Sequence, residues 1–85
     1  MSTKDKLIER FKQLPSDFTF DELVRLFSQL GFELDNKGAT SGSRIRFYNP
    51  NTDDDYVMHK PHPSNIVKKG PLKCARTYLK NKKLI

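Results

Sequence analysis

Apolar side chains recur at helical spacing early in the chain, at every second position through its middle, and at helical spacing again toward its end. The stretch Lys4–Leu14 places Leu7, Ile8, Phe11 and Leu14 on one side, and Pro15 closes the run, which predicts a short amphipathic helix. A second helix is better marked. Thr19 is followed three residues on by Glu22, the pattern of a capping box, and Phe18 is placed to staple against Leu23. Phe20, Leu23, Val24, Phe27 and Leu30 then form one apolar stripe, read as core, and Gly31 supplies a left-handed stop.

From there the period changes to two. Phe32 and Leu34 alternate with Glu33 and Asp35, which predicts a half-buried strand over Gly31–Asn36. Lys37–Gly42 reads as a turn, and Ser43–Tyr48 as a second strand with Ile45 and Phe47 on one side and Arg44, Arg46 and Tyr48 on the other. Asn49-Pro50-Asn51 ends that strand, because proline donates nothing to a ladder and favours turns. Asp53, Asp54 and Asp55 are expected at the hairpin tip as solvated charge and not as a metal site. Tyr56–Lys60 is the third strand, its alternation setting Val57 and His59 against Tyr56 and Met58.

Pro61 and Pro63 hold His62 in an extended segment. Gly70-Pro71 then reads as an N-cap and first position of a last helix, with Leu72, Ala75 and Leu79 facing inward and Tyr78 at the flank. Leu84 and Ile85 are expected to tuck against the first helix or to fray.

The order is thus helix, helix, three strands, helix: an α+β fold with a three-stranded antiparallel sheet, one face covered by helices and the other wet. From Phe20 onward this order resembles that of a double-stranded-RNA-binding domain. The 85 residues are read as one domain, 1–85, which buries only about 60–65% of its unfolded surface. A deep substrate pocket is not expected in so small a core.

Charge changes the picture more than size does. The net charge is +6, yet residues 1–35 carry five Lys/Arg against seven Asp/Glu, while residues 56–85 carry eight Lys/Arg and no acid. Such a one-sided field suits a phosphate backbone or an acidic protein, although solvated lysines alone give the same composition. Lys68, Lys69 and Lys73 surround the last helix start, where the helix dipole also favours an anion. The single Cys74 excludes an intrachain disulfide, so a reducing cytoplasm is the expected location. No apolar run approaches the ~18 residues of a membrane span, and Met1–Leu14 is too charged to be expected as a signal peptide.

Both histidines, His59 and His62, lie between the strand arginines and the lysine-rich helix start. Histidine is the usual proton carrier in metal-free RNA cleavage, and arginine grips phosphate with a forked donor set. Arg44 and Arg46 are therefore candidate phosphate ligands, and Tyr48, on the same strand face, is a candidate platform for a splayed base. Each has an ordinary alternative: a surface histidine between prolines, arginines on a wet face, a tyrosine half in the core. His59 and His62 as an HxxH metal pair lack a third ligand nearby in sequence, and no metal or other cofactor is expected.

The stretches DFTFDELVRLFSQLGFEL, GSRIRFY and HKPHPSNIVKKGPLK together resemble HicA, the small toxin of a bacterial toxin–antitoxin pair, over nearly all of the chain from Asp17 onward. The resemblance implies a metal-independent endonuclease acting on mRNA, with a HicB-like antitoxin as partner and no membrane or small-molecule ligand. It also implies a histidine directly after Gly42-Ser43, where this chain has Arg44, while His62 matches the family's histidine upstream of the last helix. Two consequences are open. His59 takes over proton transfer from the neighbouring strand with Arg44 on the phosphate, or catalysis is lost and the chain only binds RNA. A third reading is a protein-interaction domain with a basic face.

Overall fold

Residues 3–35, 44–61 and 64–85 are described in the structure, a computed structural model. Helix α1 spans Thr3–Lys12. It stops short of the predicted Leu14 because that residue turns to a φ of 52°. Gln13 and Leu14 donate back to the Arg10 and Phe11 carbonyls at 3.2 and 3.0 Å, tightening the last turn. The buried Phe11 meets Phe18 with ring centroids 5.6 Å apart.

Helix α2 spans Phe20–Gln29 and carries the predicted capping box in full. The Glu22 amide donates to Thr19 Oγ1 at 3.1 Å, and the Thr19 amide donates to Glu22 Oε1 at 2.9 Å. Glu22 has a second task, since Arg10 Nε donates to its Oε2 at 3.0 Å, which ties α1 to α2. Gly31 (φ 96°) ends the helix in a Schellman motif: Phe32 N–H reaches the Phe27 carbonyl at 2.9 Å and Gly31 N–H the Ser28 carbonyl at 3.1 Å. The buried stripe is rotated from the predicted one. Leu26 joins Phe20, Leu23 and Phe27 inside, while Val24 and Leu30 are only partly buried.

Strands β1 (Glu33–Asp35), β2 (Arg44–Asn49) and β3 (Asp54–His59) form one sheet in that order, each pair antiparallel. The predicted meander is present with shifted ends. β3 starts two residues earlier than expected, because the connection is four residues and Asp53 takes the left-handed position (φ 59°) that closes it. Only Asp53 is therefore at the tip; Asp54 pairs with Asn49 and Asp55 with Tyr48 inside the ladder. The turn predicted over Lys37–Gly42, and Ser43 after it, lie outside the described residues.

Helix α3 spans Lys69–Asn81 with Lys68 as N-cap, so Gly70 and Pro71 fall inside its first turn, not at the cap. Proline is tolerated there because its missing N–H would have no intrahelical acceptor; the first closing bond runs from Leu72 N–H to the Lys68 carbonyl at 3.0 Å. The predicted inner stripe of Leu72, Ala75 and Leu79 is buried. Leu84 and Ile85 are half-buried against the core, Leu84 N–H returning to the Leu79 carbonyl at 3.0 Å.

The helices share a core with one sheet face. Phe27 is its centre: it stacks on Phe47 at 4.1 Å and 6°, and meets Phe32 edge-on at 5.2 Å. Ile45 and Met58 complete the buried side of the sheet.

Candidate nucleic-acid interface

Strand alternation sends Arg44, Arg46 and Tyr48 of β2, with Asp55, Val57 and His59 of β3, to the face the helices leave bare. Arg44 and His59 are direct register partners. The Tyr78 hydroxyl donates to the Asp55 carbonyl at 2.9 Å, so the backbone groups of Asp55 point away from β2. By alternation those of Val57 and His59 do so as well. Arg44–His59 is then a non-hydrogen-bonded pair, the kind in which Cα atoms lie about 4.5 Å apart and side chains sit closest. Both are exposed, which places a guanidinium and an imidazole side by side on open surface.

Arg46, one pleat further, is in a different situation. Its Nε donates to Asp55 Oδ2 at 3.0 Å and its Nη1 lies 3.5 Å from Asp35 Oδ2, so it bridges all three strands. Its guanidinium also lies 4.7 Å from the Tyr48 ring centroid. The Tyr48 hydroxyl donates to Asp53 at 2.9 Å, a bond that holds the phenol above its ordinary pKa. The bare face is thus divided: the Arg44 guanidinium stands beside the His59 imidazole at one end, and Arg46 and Tyr48 are engaged by carboxylates at the other. Exposed ion pairs of this kind contribute only about 0–1 kcal/mol, so an incoming phosphate can displace them. His62, the other histidine of the sequence reading, lies outside the described residues.

The helix start is positioned by a strap that the sequence reading passed over. Phe20 N–H donates to the Asn65 carbonyl at 2.7 Å and Val67 N–H to the Phe18 carbonyl at 2.8 Å, around an antiparallel bridge between Thr19 and Ile66. Val67 is fully buried beneath it. The Ile66-Val67 pair, β-branched and next to polar Ser64-Asn65, is the sequence signal for such a bridge. The strap delivers Lys68 in an extended conformation to the start of α3, where Lys68, Lys69 and Lys73 are all exposed. That start has no side-chain cap and no acid in its first turn. Lys60, directly after β3, lies 5.8 Å from the Phe20 ring. Contacts therefore run from the His59 end of β3 through Lys60 and Phe20 to the strap and the α3 lysines.

β3 is held from behind by α3. Lys82 Nζ donates to Asp54 at 2.8 Å, which lowers the Asp54 pKa and raises that of Lys82, and Tyr56 and Tyr78 pack with ring centroids 4.8 Å apart. Among the described residues, no group of three or more His, Cys, Asp or Glu is placed to hold a metal ion.

Element order and the one bare sheet face define a small α+β domain with double-stranded-RNA-binding-domain topology. Comparison with known families narrows this. The family model described as the HicA toxin of bacterial toxin–antitoxin matches residues 20–81, and the chain belongs to that family. The match spans α2 to α3 and includes Arg44, His59, Lys68, Lys69 and Lys73. No curated protein and no solved structure matches the chain. The protein is thus the toxin of a toxin–antitoxin pair, and an antitoxin is its implied partner.

Proposed function

We propose that the protein is a metal-independent RNA endonuclease that cuts mRNA at the Arg44–His59 end of the sheet. The observation that carries this reading is the cross-strand pairing of Arg44 with His59 on the bare face of a HicA-family chain. Exposed Lys68, Lys69 and Lys73 at the α3 start would hold the RNA backbone, and Arg46 and Tyr48 would join after releasing their carboxylates. His59 takes the proton of a 2′-hydroxyl, whose oxygen attacks the adjacent phosphorus. Arg44 donates to the phosphorane oxygens as charge builds, and the departing 5′-oxygen leaves with a proton supplied by His62. The products are a 2′,3′-cyclic phosphate and a 5′-hydroxyl. No cofactor enters the scheme, and its setting is the cytoplasm, where mRNA is found.

The test is incubation of the purified protein with RNA in excess chelator. Cleavage should persist and leave cyclic phosphate ends, and His59→Ala should lower its rate by about 10²–10⁴-fold with RNA affinity nearly unchanged. Undiminished cleavage by that variant would move the assignment to His62. A second reading has its own support. Arg44 stands where the resemblance to the family places a histidine, so an RNA-binding module without catalysis is the alternative. Tight RNA binding with no cleavage of any RNA by the intact protein would establish it.

A further inference from the structure

The strand order leaves β3 with an open edge. Three of its residues, Asp55, Val57 and His59, turn their backbone N–H and C=O groups away from β2, as the Tyr78 bond to the Asp55 carbonyl fixes. That carbonyl is occupied by Tyr78. No backbone group among the described residues bonds to the outward groups of Val57 or His59. The Val57 side chain is also 42% exposed, a large apolar group left in solvent on the bare face. Natural edge strands are usually blunted by charge, proline or a covering element, and here only the Asp55 end is covered.

Beside this edge runs α3, with a shallow groove of about 450 Å³ along Gly70, Lys73, Cys74, Thr77, Tyr78 and Asn81. Gly70 has nothing within 4 Å of where a Cβ would stand, so the groove is open at its start. Tyr78 belongs to both the groove and the edge contact, which joins them. A strand edge flanked by a helix is the setting in which an extended peptide adds a strand. The charge around it selects the peptide: Lys60, Lys69 and Lys73 are exposed with no carboxylate partner among the described residues, and no acid occurs after Asp55.

We infer that the open edge of β3, beside the basic side of α3, is the docking site for an acidic, extended segment of the antitoxin, which adds to the sheet as a fourth strand. Outward N–H and C=O groups in alternation match another peptide backbone, whereas RNA offers no such alternation. Tyr78 sets the register, since it bars pairing at the Asp55 carbonyl and leaves Val57 and His59 as the pairing residues. The inference rests on family membership and not on the cleavage scheme.

Amide hydrogen exchange on the full chain, free and saturated with its antitoxin, reads the edge directly. The Val57 and His59 amides should slow at least tenfold on complex formation. Val57→Pro removes one outward donor and no internal ladder bond, so it should weaken antitoxin binding at least tenfold while the chain stays folded. If that variant does not fold, Val57→Glu on the bare face should weaken the complex by repulsion, with an effect that fades in high salt. Unchanged exchange at these two amides would overturn the inference, as would protection by RNA but not by antitoxin. Full antitoxin affinity in a folded Val57→Pro variant would do the same. Loss of RNA cleavage in all forms would leave the docking result standing, so the two readings fail separately.

Discussion

The molecule contains two helix starts joined by one strap, and they are finished in opposite ways. α2 begins with a threonine cap, a reciprocal glutamate and a second acid, Asp21, in its first turn. Every element there serves the helix: the capping box satisfies backbone donors, and the acids complement the dipole. α3 begins with a lysine that makes no cap bond, has no acid in its first turn, and is surrounded by exposed cations. The same strap, through the Thr19–Ile66 bridge, holds both starts in place. Local stability is concentrated at the first start, and positive potential at the second. A helix start left uncapped among lysines is poor for folding and well suited to an anion.

Several substitutions separate the two roles, beginning with the largest effect. Phe27→Ala, within α2, should cost about 3–5 kcal/mol in a denaturant titration, because it removes the ring on which Phe47 and Phe32 pack. An unmoved unfolding midpoint would show that α2 is not the stabilising side. At the α3 start, replacing Lys68, Lys69 and Lys73 with glutamine should leave the unfolding midpoint alone. It should weaken RNA binding across all sequences and flatten the log–log salt slope by about 0.7–0.9 for each phosphate no longer neutralised. RNA bound as tightly at low salt by the triple variant would break the comparison at its functional end.

Thr19→Ala should cost about 1 kcal/mol of stability with no direct effect on RNA affinity. The same cap has a pH signature. Arg10 holds the Glu22 carboxyl below its ordinary pKa, so its contribution is fully present above the usual glutamate value and is lost as pH falls through the depressed one. Glu22→Gln should therefore flatten the acid limb of a stability–pH curve. The smallest change is the most pointed. Lys68→Ser gives α3 the cap it lacks and should raise stability by a few tenths of a kcal/mol to about 1 while weakening RNA binding. A gain in both would mean that the bare start has no functional reason.

The α2 start was legible in the sequence because all its partners lie within a few residues of each other: Thr19, Glu22 and Gly31 declare themselves by spacing. The α3 start was misplaced by two residues. Gly70-Pro71 mimics a cap locally, and what sets the true start is Val67 bonding to Phe18, across much of the chain. The strand faces were readable from alternation, and Arg44, Arg46 and Tyr48 share a side as expected. The Arg44–His59 pairing was not readable. It depends on a four-residue connection, and three consecutive aspartates suggested a longer one. The bonds from Arg46 to Asp35 and Asp55 escaped for the same reason, since cross-strand partners follow from register and not from composition.

One close approach in the fold ties the residue choice at two distant sequence positions together. Gly31, at the end of α2, lies so near the buried Asn49 at the end of β2 that a Cβ there would come within 3.3 Å of the Asn49 side-chain nitrogen. Asn49 in turn receives the Asn51 amide at 2.9 Å and so shapes the hairpin connection. An alanine at position 31 meets two penalties, a left-handed backbone and a crowded neighbour, and a smaller side chain at position 49 relieves only the second. A side chain as large as asparagine at position 49 therefore needs glycine at position 31. The hairpin that sets the Arg44–His59 register thus rests on a glycine at the end of α2 as well as on its own turn residues.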